Sequence, residues 1–179
     1  MENTIVKRKW FWAWQDDKEE EWLSEMSKQG YHLSKPGFFG RYEFEQGEPR
    51  NYVYRLDFMS DRKVKKETYL QFFADAGWEY IGEFGSWQYF RILAEGEHQP
   101  EIYTDVASKI KKYERILVIL VIFQPTYLVL LNVNNILQYD LGWFTAGIFI
   151  LWLMIVSVFT FGMIKLIMRI QELKKTIKQ

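Results

Sequence analysis

Few side chains in this 179-residue chain suit covalent or metal chemistry. Cysteine is absent, which removes thiol catalysis, thiolate metal sites and disulfides. His32 and His98 are the two histidines, and neither sits in a cluster with ligand spacing. His32 reads as a partly exposed strand residue. The acidic run over residues 16–21 suits the capped, solvated start of a helix better than a metal site. No GxSxG, phosphate-binding loop, dinucleotide fingerprint or HExxH occurs. A non-enzymatic protein with no cofactor and no metal is expected.

What the chain does hold is aromatic surface, at 18% of residues. Trp10, Trp12, Tyr42, Tyr54, Trp78 and Tyr89 could line a cleft for an amphipathic ligand, with Glu43 or Glu79 supplying charge. The competing and commoner reading packs most of them beneath helices as core. Arg55 and Asp57 share a strand face, and could orient a polar ligand group. A surface ion pair is the plainer expectation for them. Gln124 and Pro125 interrupt an apolar stretch, either as a contact to another membrane protein or as a kink whose glutamine bonds within its own hairpin.

These residues must be placed by a repeated unit. EEEWLSEMSKQGYHL (residues 19–33) and KETYLQFFADAGWEY (66–80) align 47 positions apart without a gap. Trp22, Leu23 and Met26 then fall on Tyr69, Leu70 and Phe73, Gly30 on Gly77, and Tyr42 on Tyr89. Each helix shows an apolar stripe and a glycine able to end it in the left-handed conformation. Asp16 or Asp17 is expected to cap the first helix, and Ser60 or Asp61 the second. Strands are expected over 5–14, from 31, over 40–46, over 51–58, and as a hairpin over 78–84 and 87–93. The fold class is α+β: duplicated strand-helix-strand-strand units (about 5–47 and 51–94) forming one antiparallel sheet with both helices on one face. This domain spans 1–95, a linker follows over 96–104, and 105–179 forms a different part.

That part is apolar and basic. Spans are expected over 116–137 and 141–164, long enough for a two-helix transmembrane hairpin. Residues 1–105 carry 14 Lys+Arg and 20 Asp+Glu, a balance of −6, whereas 106–179 carry 9 and 3, a balance of +6. The acidic first half argues against a nucleic-acid partner. Lysines and arginines flank both spans and are absent between them, so both termini are expected in the cytoplasm, with the lipid bilayer as partner. Seams at Val106, Ile110, Tyr113 and Leu117, and at Leu166, Ile170, Leu173 and Ile177, suit pairing with each other or, in a homodimer, between protomers. The start of the chain is too polar for a cleavable signal peptide.

Phe11 with Trp14, Glu21-Trp22-Leu23 through Met26 to Gly30, Tyr42-x-Phe44, Tyr52-x-Tyr54-x-x-Asp57 and Ala76-Gly77-Trp78-Glu79 together resemble the bacterial family catalogued as domain of unknown function 2812. The resemblance covers roughly residues 8–105. It implies a bacterial protein with C-terminal membrane spans, often encoded beside PadR-type regulators, and carries no catalytic residue with it. The paired units also look like the effector-binding domains of the GyrI-like group. That likeness implies apolar, often cationic ligands held between modules by aromatic side chains and an acid. The expected function is a membrane-anchored cytoplasmic binding or sensor module for an amphipathic small molecule or a protein. The alternative is an accessory subunit of a larger, transporter-type membrane complex.

Overall fold

Strand and helix alternate in the first half because apolar positions recur every second residue in some stretches and every third or fourth in others. The computed structural model describes residues 4–59, 65–94, 100–103, 105–130 and 143–177, without the side chains of 123–130, 144, 145, 148 and 149. Two compact units result, Met1–Thr104 and Asp105–Gln179. The first unit runs β1 (Thr4–Arg8), α1 (Asp16–Lys28), β2 (Tyr31–Pro36), β3 (Arg41–Gln46), β4 (Tyr52–Phe58), α2 (Lys66–Asp75), β5 (Glu79–Phe84) and β6 (Trp87–Leu93).

The single shared sheet expected from the sequence is not formed. There are two antiparallel three-stranded sheets, ordered β1-β3-β2 and β4-β6-β5. Their neighbouring edges, β2 and β5, are each bulged, between Leu33 and Lys35 and between Tyr80 and Gly82. Pro36 adds an edge position without an N–H, and its ring lies against Gly82, where a Cβ would meet it at 3.3 Å. Bulges and proline both interrupt a ladder, so the two edges stay unjoined.

The helices also do not share a face. Leu23 and Met26 of α1 pack with Leu33, Phe44, Tyr54 and Leu56 in one core. Phe73 of α2 packs with Val53, Trp78 and Phe90 in another. Tyr54 and Val53 are adjacent in β4, so these cores lie on opposite faces of the second sheet. That placement buries β4 from Val53 to Phe58. Arg55 and Asp57 are therefore buried rather than forming the expected surface pair. Arg55 bonds the Tyr54 carbonyl at 2.9 Å and pairs with Glu101 at 3.1 Å and Glu20 at 3.7 Å. Asp57 accepts from Tyr69 at 2.7 Å and from Tyr103.

Three local expectations shift. The first strand stops at Arg8, not residue 14, and the tryptophan run leaves the sheet. Gln15, not an aspartate, stands at the α1 N-cap; Asp16 and Asp17 lie in its first turn. Lys65 precedes α2, with Ser60 and Asp61 outside the described residues.

In the second unit α3 (Val106–Leu130) and α4 (Trp143–Ile177) pack together, burying Ile110, Tyr113, Ile116, Leu166 and Ile170. Glu114 meets Lys174 at 3.2 Å. Among the described residues one stretch, Ile150–Ile177, is long and apolar enough to cross a membrane, with a mean hydropathy of 2.2. Residues 131–142, where the two expected spans meet, lie outside the described ones.

Candidate functional site

α1 carries two of its acids, Asp16 and Glu19, on the same side as its core residues. Asp16, Glu19, Leu23 and Met26 follow the three- and four-residue spacing of one helix face, and all four are buried. Glu19 is held by two tyrosines, one from each sheet: Tyr42 Oη and Tyr89 Oη each donate to Glu19 Oε1 at 2.7 Å. These two tyrosines stand 47 positions apart, the offset at which the two helix segments were aligned. Burial pushes the Glu19 carboxyl above its usual range, Asp16 adds to the rise, and the two tyrosine hydrogen bonds oppose it. Burial and the neighbouring Glu19 push both phenols upward, so they remain donors.

Glu19 and Asp16 face a cavity of about 270 Å³. One wall is the segment Trp10, Phe11, Trp12 and Ala13. The others are the two hairpin turns, with Phe38 and Phe39 on one and Phe84 and Trp87 on the other. Phe38 meets Phe84 edge-on at 5.0 Å. Trp12 stacks on Trp14 at 5.2 Å and meets Trp10 edge-on at 5.8 Å. The wall is fixed where Lys9 N donates to the Gly40 carbonyl at 2.8 Å. Gly40 has φ +66°, and a Cβ there would sit 2.3 Å from the Lys9 carbonyl oxygen, so only glycine fits.

Of the residues expected at a site, Trp10, Trp12, Tyr42 and Tyr89 are brought together here. The others are elsewhere. Trp78 is core beneath α2. Glu43 pairs with Arg41 at 3.1 Å, and Glu79 grips Arg91 through two bonds of 2.7 Å. Arg55 serves the buried network described above. His32 lies 2.8 Å from Ser27 Oγ and 2.9 Å from the Glu48 carbonyl, a local tie. Gln124 and Pro125 lie within α3, with side chains outside the described ones. The acids that face the cavity, Asp16 and Glu19, belong to the run expected as a solvated helix start. Their signal was present, since both fall on the apolar stripe and not opposite it.

The family model for a protein of unknown function (DUF2812) matches residues 15–124. The chain belongs to the DUF2812 family. The match takes in α1 and the strands from β2 to β6 and reaches into α3, starting later and ending further along than the span of roughly residues 8–105 expected from the motifs. No curated protein and no solved structure matches the chain.

Proposed function

We propose that this DUF2812 protein is a non-enzymatic, membrane-anchored binding module whose ligand is an amphipathic organic cation. The observation that carries the reading is the Glu19 carboxyl, buried at the base of an aromatic cavity and gripped by Tyr42 and Tyr89. A buried acid without a cation is costly, and aromatic walls attract positive charge on their faces. An organic cation satisfies both. The cavity is small, close to the lower end of ligand sites, which begin at roughly 300 Å³. A compact aromatic or alkyl ammonium or phosphonium fits it better than an extended chain.

The two units are taken as copies of one ancestor. Both sheets share one strand order, and Gly30 and Gly77 hold matching φ values of 82° and 85°. The site arises where the copies differ, because Glu19 of the first aligns with Lys66 of the second. Anchoring is supported by the Ile150–Ile177 helix, and a cytoplasmic site by the Lys and Arg residues that flank the apolar stretches.

Titrating the full chain in detergent with tetraphenylphosphonium tests this reading, with tryptophan fluorescence as the readout. Binding should be saturable, and Glu19→Gln should weaken it about tenfold or more, the equivalent of about 1.4 kcal/mol. Equal binding of a neutral analogue of the same shape, or unchanged affinity in Glu19→Gln, would rule the reading out.

A further inference from the structure

The cavity mouth carries more exposed aromatic surface than enclosing a small ligand requires. Trp10, Trp12, Phe38 and Phe39 are 57%, 41%, 74% and 80% exposed. Phe39 also adopts φ +53°, a left-handed conformation disfavoured for any residue with a Cβ. A strained backbone that turns a large apolar side chain into water is a feature that folding alone does not reward.

Basic groups stand beside this lip. Arg8 and Arg41 oppose each other directly across β1 and β3, and Lys9 follows; all three are exposed. Arg41 meets Glu43 at 3.1 Å, yet two like charges in register repel. An anionic surface against them relieves that repulsion. The cluster is the more distinctive because residues 1–105 carry a balance of −6. Tryptophan and phenylalanine beside arginine and lysine are what the headgroup region of an anionic bilayer accommodates. The chain also carries its own apolar helix at Ile150–Ile177, so a bilayer would be held at high effective concentration.

We infer that Trp10, Trp12, Phe38 and Phe39 form a lip that seats in the headgroup region of an anionic bilayer. The cavity then takes its ligand from the membrane interface and not from bulk water. This inference rests on the anchored reading above and adds a second, shallow membrane contact to it.

The absence of cysteine makes single-site spin labelling direct. Full-length Phe38→Cys, Trp10→Cys, Phe72→Cys and Leu153→Cys variants would each carry a nitroxide in vesicles of phosphatidylcholine with phosphatidylglycerol. Accessibility to oxygen and to a water-soluble nickel chelate reports depth. Leu153 should read deep, Phe38 and Trp10 shallow but within the bilayer, and Phe72, exposed on α2, aqueous. Removing phosphatidylglycerol should return the two lip labels toward water. Aqueous lip labels beside a deep Leu153 overturn the lip and leave the anchor standing. An aqueous Leu153 overturns both. Spin–spin broadening at Phe38 that persists in detergent assigns the lip to a second copy of the chain and also overturns the inference. Tetraphenylphosphonium binding in detergent, where no bilayer exists, tests the pocket separately.

Discussion

Glu19 accepts from Tyr42 Oη and Tyr89 Oη at 2.7 Å each, in the interior of the first unit. Its carboxyl is raised by burial, so the folded chain keeps a proton over an interval above 4.5 where the unfolded chain has lost it. Stability from this group is therefore full below the ordinary carboxylate range and declines as pH rises through the folded value. Glu19→Gln keeps an oxygen for Tyr42 and Tyr89 and has no proton to lose. Its melting temperature should exceed that of the unmodified protein by a few degrees at neutral pH, and the gap should close on acidification. A constant gap across pH, measured by thermal melts, would show that the carboxyl does not titrate in this interval. The same linkage makes the proposed cation binding proton-dependent: affinity should rise with pH, by up to about tenfold per unit, until Glu19 is ionised.

At the scale of elements, α1 is both a core helix and the cover of an exposed edge. β4 borders its sheet, and its outward N–H groups are met by α1 side chains: Tyr54 N by Ser24 Oγ at 3.3 Å and Leu56 N by Glu20 Oε1 at 2.9 Å. Four helical residues advance about 6 Å and two strand residues about 6.6 Å, so the two spacings nearly match. An edge covered in this way is not available for pairing with another chain. The glycines that end the two helices look equivalent in sequence but are not equally confined. At Gly30 a Cβ would meet the Gly47 carbonyl oxygen at 2.4 Å; at Gly77 the nearest atom is Ile92 Cδ1 at 3.5 Å. Gly77→Ala should cost about 1 kcal/mol, from the left-handed backbone alone. Gly30→Ala should cost about 3 kcal/mol or more, because overpacking against backbone is added. Urea unfolding of the two variants compares them directly, and equal costs would contradict the geometry.

At the scale of the molecule, the segment expected as a linker is partly docked. Among residues 100–103, Glu101 pairs with Arg55, Ile102 packs on the core under α2, and Tyr103 donates to Asp57. Arg55 also faces Glu20, the neighbour of the pocket acid Glu19. The chain therefore leaves its first unit from a buried polar network, three residues before α3 begins at Val106. Tyr103→Phe should cost about 1–2 kcal/mol and should speed proteolysis around residues 95–105. Unchanged cleavage rates would mean that the segment is held by Glu101 and Ile102 alone.

The sequence by itself determined the kinds of element, the family, the acidic and basic halves and the apolar C-terminal helix. Each of these depends on spacing along the chain or on local composition, which a linear reading captures. It also placed Trp10, Trp12, Tyr42 and Tyr89 in one candidate set. Only the tertiary structure decided that the sheets stay separate, that β4 is buried on both faces, and that Arg55 and Asp57 lie inside. It alone brought two tyrosines 47 residues apart onto one carboxylate oxygen. Glu19 lies near the start of a helix, where acids are ordinarily solvated by water and favoured by the helix dipole. Whether such an acid is solvated or buried depends on what packs against it, and here the packing comes from a strand 70 residues further along the chain.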